Sequence, residues 1–203
     1  MTDWEAVARE AVTVHRAAQK PAELAALLQA LEEFAPKVII EIGSDAGGTL
    51  WAWSRLPGPP RVFGVDLPGG PYSSAPFPEA HGAELIIGNS HHRGTRAQLQ
   101  AAMGGEDARA DMLFIDADHT YQGVSIDYHA YRPLVRAGGI IVFHDIAVHP
   151  HMPDVGVHRL WAEISERWPS TEIIRNPEDT WAGIGILVNT PLPVPEPVML
   201  AAR

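Results

Sequence analysis

The sequence has no cysteine. That excludes disulfides, zinc–thiolate sites and cysteine nucleophiles, and it fits an expected cytoplasmic setting. Positive charge is also scarce: 15 Lys and Arg against 25 Asp and Glu leave a net charge of −10. Such a chain offers no electrostatic footprint to a phosphate backbone or an anionic lipid surface, so neither nucleic acid nor membrane is an expected partner. No apolar run approaches the ~20 residues of a membrane span, and the opening "MTDWEAVARE" lacks the apolar core of a signal peptide. There is no internal repeat, no Gly-x-Ser-x-Gly nucleophile elbow and no Lys-Ser/Thr pair of a phosphate loop.

What is present suits one folded domain with a full core, at 203 residues and 46% hydrophobic content. Histidine is concentrated: six of the ten lie between His119 and His158. Residues 1–36 read as a helical segment, in which Leu24, Leu27, Leu28 and Leu31 recur at helical spacing behind Pro21. Residues 37–190 then alternate. The strand-like runs are "VIIEIG", "RVFGVDL", "ELIIG", "DMLFID", "IIVFHD", "TEIIR" and "GIGILV". Between them fall helical patterns, one predicted from Tyr121 through Val135 and closed by Gly138 and Gly139. This predicts an α/β fold, a Rossmann-like, doubly wound and mostly parallel seven-stranded sheet with helices on both faces. Residues 191–203 form a Pro-rich tail, and with the apolar N-terminal helix they make a homodimer an expectation.

In such sheets ligands bind beyond the carboxyl ends of the strands. Glu41, Asp66, Asn89, Asp116 and the His144–Asp145 pair all fall there and so share one rim. In "EIGSDAGGTL", Gly43 and Gly47 permit a tight strand-to-helix turn that a ligand can approach closely, and the following helix offers free N–H groups. Asp66 is placed to take two ribose hydroxyls. Asp116, His144 and Asp145 come from two strand ends about 5 Å apart and can converge on a divalent cation. His119, three residues past Asp116, is then a candidate proton acceptor.

Taken in order, "EIGSDAGG", "VFGVDLP", "LIIGNS", "MLFIDADHTY" and "AGGIIVFHDI" resemble a class I S-adenosylmethionine-dependent methyltransferase over residues 37–188. The rim is most similar to the metal-dependent O-methyltransferases of small molecules. The resemblance implies S-adenosyl-L-methionine as cofactor, held by Glu41, Gly43, Ser44, Gly47, Asp66, Leu67, Asn89, Ser90 and Asp116. It implies a magnesium or other divalent ion on Asp116, His144 and Asp145. His119 or Asp118 would be the base, and a small-molecule hydroxyl the acceptor. His144 departs from the carboxylate usual there, and an imidazole favours manganese, iron or zinc, or no metal.

The sequence also leaves open a metal-independent N- or O-methyltransferase, a nicotinamide oxidoreductase, and a cofactor-binding partner without catalysis. Helix capping is the bland role of Asp118, and exposure that of His91 and His92. Asp127 is expected at the surface or on a backbone amide. Gln19 either covers the cofactor or lies at the surface. The stretch "AVHPHMPDVGVH" reads as a lid, and most of the tryptophans as core.

Overall fold

The computed structural model describes residues 2–69, 78–174 and 181–191. The apolar runs form β1 (Val38–Ile42), β2 (Arg61–Asp66), β3 (Glu84–Ile87), β4 (Ala110–Ile115), β5 (Val135–His144), β6 (Ser170–Ile173) and β7 (Ile184–Val188). They lie in the order β3-β2-β1-β4-β5-β7-β6. The first five are mutually parallel, and β7 runs antiparallel to both β5 and β6. The expected doubly wound sheet is present.

Among the described residues the α-helices are α1 (Trp4–Thr13), α2 (Pro21–Phe34), α3 (Gly48–Trp53), α4 (Arg93–Met103), α5 (Tyr121–Tyr131) and α6 (Val157–Ser165). Because side chains alternate along a strand, each central strand feeds two cores. Ile40, Phe63, Leu113 and Ile141 pack with α4, α5 and α6. Ile39, Val62, Met112 and Val142 pack with α1, α2 and α3. On α2 the predicted stripe of Leu24, Leu27, Leu28 and Leu31 is buried, and at about 2 kcal/mol per side chain it fixes the N-terminal helices to the sheet. Trp51, Trp53, Trp161 and Trp168 are buried as expected, whereas Trp181 is half exposed.

One predicted boundary is overturned. Instead of running to Val135, α5 ends at Tyr131, residues Arg132–Leu134 make a single 3-10 turn, and β5 begins at Val135. Pro133 is the cause, since it lacks an N–H and its ring conflicts with the preceding turn. Gly138 and Gly139 therefore stop no helix; they lie inside β5. Gly138 (φ 72°) sits where the pairing with β4 slips between Val135–Ala110 and Ile140–Met112, and its N–H bonds the Asn189 carbonyl instead.

Most of the predicted loop from Pro68 to Pro78, Arg175 of "TEIIR", and the tail from residue 192 lie outside the described residues. Among the described residues no helix is long and apolar enough to cross a membrane.

Candidate active site

Sheet register brings the rim together. Ile42 pairs with Ile115 and Ile115 with Phe143, so Gly43, Asp116 and His144 emerge at one level. Asp116 and His144 also share a face, the one covered by α1, α2 and α3. Asp145, next along, would point away in a regular strand. It instead adopts a left-handed backbone (φ 61°), which turns its carboxylate back to the same point. A conformation of this kind costs on the order of 1 kcal/mol or more and is held by its surroundings. Here Asp145 Oδ1 accepts the Ala182 N–H at 3.1 Å, and the Ile146 and Ala147 amides bond the Gly183 and Ala182 carbonyls.

The resulting cluster is tight. His119 Nε2 lies 3.2 Å from Asp116 Oδ1 and 3.0 Å from Asp145 Oδ2. His144 Nδ1 lies 3.2 and 3.4 Å from the same two oxygens. Donor atoms of Asp116, His119, His144 and Asp145 all fall within 4.8 Å of one another. Two further residues complete it. Gln19, from the α1–α2 connection, is buried and donates its amide to Asp116 Oδ2 at 2.7 Å. His149, from the stretch read as a lid, is also buried, with Nε2 3.2 Å from Asp145 Oδ1.

Charge explains the pairing. Burial disfavours the charged form of His119 and of His144, but the Asp116 and Asp145 carboxylates outweigh it and push both imidazoles up to about 10. Burial likewise works against the two carboxylates, and the imidazoles overcome it and hold both well below the usual range. With two imidazolium ions and two carboxylates the group has no net charge.

The same residues fit a divalent cation. Both ring nitrogens of His144 are buried without a hydrogen bond, and Nδ1 faces the gap between Asp116 Oδ1 and Asp145 Oδ2. Two carboxylates and the His144 imidazole are a donor set that suits manganese or zinc at least as well as magnesium.

Alongside lies the glycine turn. Gly43 and Gly47 have φ near 90°, and a Cβ on Gly43 would sit 2.1 Å from the Asp116 carbonyl. Only glycine allows the turn to press on the exit of β4. Asp66 bridges to it, with Oδ2 accepting the Ser44 and Asp45 amides at 2.8 and 2.6 Å and Oδ1 accepting Leu67 N–H at 2.6 Å. Burial raises its pKa despite these bonds. Oδ1 keeps acceptor capacity for a ligand hydroxyl. Glu41, fully buried, accepts the Thr49 hydroxyl at 2.8 Å and the Trp53 indole N–H, bracing α3 from below.

Other predicted residues fall as follows. Asn89 and Ser90 are partly buried just past β3; Asn89 Oδ1 accepts the His91 N–H, and the Ser90 carbonyl accepts the Tyr131 hydroxyl. Leu67 is exposed. Asp118 is not brought to the cluster: Oδ1 accepts the Thr120 N–H, and the carboxyl packs against Gly123 at the start of α5. Asp127 corrects its expectation. It is fully buried on the inner face of α5, with neither oxygen hydrogen-bonded and His91 Nε2 3.6 Å away. Burial pushes its pKa up to about 6.

The family described as "Methyltransferase domain" matches residues 40–146, more than half of the 203-residue chain, and the chain belongs to that family. Among solved structures it is similar to the O-methyltransferase from Bacillus cereus in complex with SAH. That match has a TM-score of 0.60 at 18% identity, over 91% of this chain and 87% of that one. It is similar too to TomG from Streptomyces achromogenes, an O-methyltransferase of tomaymycin synthesis in complex with SAM (0.59, 18%, 93% and 90%). A third is MycE, a methyltransferase of the mycinamycin pathway in complex with Mg and SAH (0.63, 14%, 96% and 57%). At such identities the likeness shows the fold.

Two curated relatives match locally. One is uncharacterized protein y4gI of Sinorhizobium fredii, 34% identical over 65 residues, covering 32% of this chain and 7% of that protein. The other is uncharacterized protein R132 of Acanthamoeba polyphaga mimivirus, 43% identical over 56 residues, covering 27% and 25%. The chain thus spans a quarter or less of the curated relatives it matches.

Proposed function

We propose that the protein transfers the methyl group of S-adenosylmethionine to a hydroxyl of a small, natural-product-like molecule with the help of a divalent cation. The observation that carries this reading is the convergence of Asp116, His119, His144 and Asp145 within 4.8 Å, directly against the glycine turn. The likeness to MycE and TomG supports the acceptor class.

In this reading Gly43, Ser44 and Gly47 receive the methionine end, Asp66 and Leu67 the ribose, and Asn89 and Ser90 the adenine side. Glu41 shapes the turn from beneath. The acceptor hydroxyl enters beside His119, whose side chain is 40% exposed while those of Asp116, His144 and Asp145 are 3–14% exposed. His119 would take the proton of the acceptor hydroxyl, and the cofactor, when bound, would supply the electrophilic methyl group to that oxygen. Asp116 and Asp145 then steady the imidazolium. Asp118 is engaged at the start of α5, so the base role is given to His119. A cation held by Asp116, His144 and Asp145 would orient the hydroxyl, lower its pKa and offset the carboxylate charge that otherwise keeps His119 protonated. Positioning supplies most of the remaining rate.

The test is methyl transfer from labelled S-adenosylmethionine to a panel of phenolic, catecholic and sugar hydroxyls, with manganese, magnesium or chelator. Calorimetric titration of the cofactor onto wild type and Asp66→Ala accompanies it. Cofactor binding that Asp66→Ala abolishes, with cation-dependent transfer, supports the reading. Binding of NAD in place of S-adenosylmethionine would refute it.

A further inference from the structure

A second group of metal-ligating side chains lies outside the corner just described. His15, in the α1–α2 connection, and Glu79 and His81, just before β3, bring one donor atom each to within 4.8 Å of one another. The group has a defined shape. The His15 ring stacks on Trp51 of α3 at 4.3 Å, and the His81 ring meets His15 edge-on at 5.0 Å. His81 has a left-handed backbone (φ 45°), rare for a residue with a Cβ, and this aims its ring back toward His15 and Glu79. Its Nε2 is buried without a hydrogen bond, 3.4 Å from Glu79 Oε2. The two imidazoles are mostly buried, with side chains 19% and 16% exposed, while the Glu79 carboxylate is 67% exposed. Burial, with His15 beside it, holds His81 below its ordinary pKa, toward the neutral form that ligates.

We propose that His15, Glu79 and His81 bind a second divalent ion, of the zinc class, that clasps together the two segments covering the glycine turn. Two imidazoles and one carboxylate suit zinc, cobalt or nickel and leave a position for water on the exposed side. Magnesium, which demands oxygen ligands, is not expected there. The segments joined are the ones that touch the turn. The Glu79 amide bonds the Ala46 carbonyl at 3.0 Å, and a Cβ on Gly47 would meet the Glu79 carbonyl at 2.2 Å. On the other side, a Cβ on Gly48 would meet Ala17 at 2.2 Å. An ion tying His15 to Glu79 and His81 would therefore brace both walls of the turn without touching reacting atoms. Arg55, whose guanidinium lies over the Trp51 ring at 4.9 Å, is a nearby cation that tempers the affinity.

The test is calorimetric titration of Zn2+ into the full chain, as wild type, Asp145→Asn, His81→Ala and the double variant, with excess magnesium present. The proposal expects Asp145→Asn to retain one zinc equivalent and the double variant to lose it. In the Asp145→Asn background, Co2+ should give the visible absorption of a histidine-ligated ion, absent once His81 is alanine. If the Asp116 corner binds no metal, wild type takes a single equivalent, and His81→Ala removes it. Should His81→Ala fail to fold by circular dichroism, Glu79→Gln replaces it, and zinc binding more than ~10-fold weaker is expected. Zinc affinity unchanged by His81→Ala or Glu79→Gln, or no zinc bound by the Asp145→Asn protein, overturns the proposal.

Discussion

Gln19 and Asp116, 97 positions apart, meet through an amide-to-carboxylate hydrogen bond of 2.7 Å. The bond fixes the orientation of a carboxylate whose other oxygen faces two imidazoles. Gln19→Leu keeps the volume and removes the donor. Manganese affinity is expected to fall about 10-fold, the usual cost of losing a partner behind a metal ligand, with circular dichroism unchanged. Titration of both proteins checks this, and equal affinities would show that the amide does not orient Asp116.

Proton release should accompany metal binding at the corner. His119 and His144, at about 10, both hold protons at neutral pH, and a divalent cation replaces those two positive charges. Manganese affinity is therefore expected to rise with pH toward about 10, with up to two protons released per ion. Calorimetry at pH 7 in buffers of different ionisation enthalpy counts them; no release would place the ion elsewhere.

The same groups set a window of stability. The two imidazoles sit above their ordinary 6.5, so their contribution is complete below 6.5 and is lost as pH climbs toward about 10. Asp116 and Asp145 sit below 3.8, so theirs is present above 3.8 and is lost as pH falls further. Urea unfolding at pH 3, 5.5 and 9 should find the middle condition most stable. In His144→Gln the decline between 5.5 and 9 should shrink.

Glu41 behaves oppositely to a salt-bridged carboxylate. Burial raises it from 4.5 to about 7 against the hydrogen bonds from Trp53 and Thr49. The folded protein thus holds a proton that the unfolded chain has lost. Its contribution is complete below 4.5 and declines as pH rises through about 7. Glu41→Gln can present its oxygen to the Trp53 indole and its amide to the Thr49 hydroxyl. The variant is expected to gain about 1–2 kcal/mol over wild type at pH 8, and little at pH 4.5, in thermal or urea unfolding.

Gly43→Ala should damage two sites at once. The new methyl would lie 2.1 Å from the Asp116 carbonyl at a φ of 88°. A loss of more than ~2 kcal/mol in stability is expected, with weaker binding of both S-adenosylmethionine and manganese. Loss of one ligand with the other unaffected would mean that turn and corner move independently.

The sheet was legible in the sequence because β-branched alternation reports burial on two faces directly, and the strand-end rule then placed Asp66, Asp116, His144 and Asp145. Local signals with two meanings misled. Gly138 and Gly139 resemble a helix stop and serve a strand irregularity, while Pro133, the actual stop, lies inside the apolar pattern that predicts the helix. Asp127 was misplaced because a carboxylate on a helix is usually solvated. The contacts of Gln19 and His149 with the corner were not visible, since each depends on how distant segments fold over the sheet. Asp145 could be located but not oriented; its left-handed turn leaves no mark in a His-Asp dipeptide.

That turn also bears on how far the Asp116 corner could be transplanted. Asp145 is held by the Ala182 amide, and the neighbouring Gly183 amide is bonded by Glu23 of α2 at 2.9 Å. Residues 40–146, the part matched by the family, contain Asp116, His119, His144 and Asp145 but not the outlying residues that hold them: Gln19, Glu23, His149 and Ala182 all fall outside. Grafted alone onto another scaffold, that stretch would carry the vocabulary of the site without its grammar, because the outlying segments dictate where the carboxylates aim.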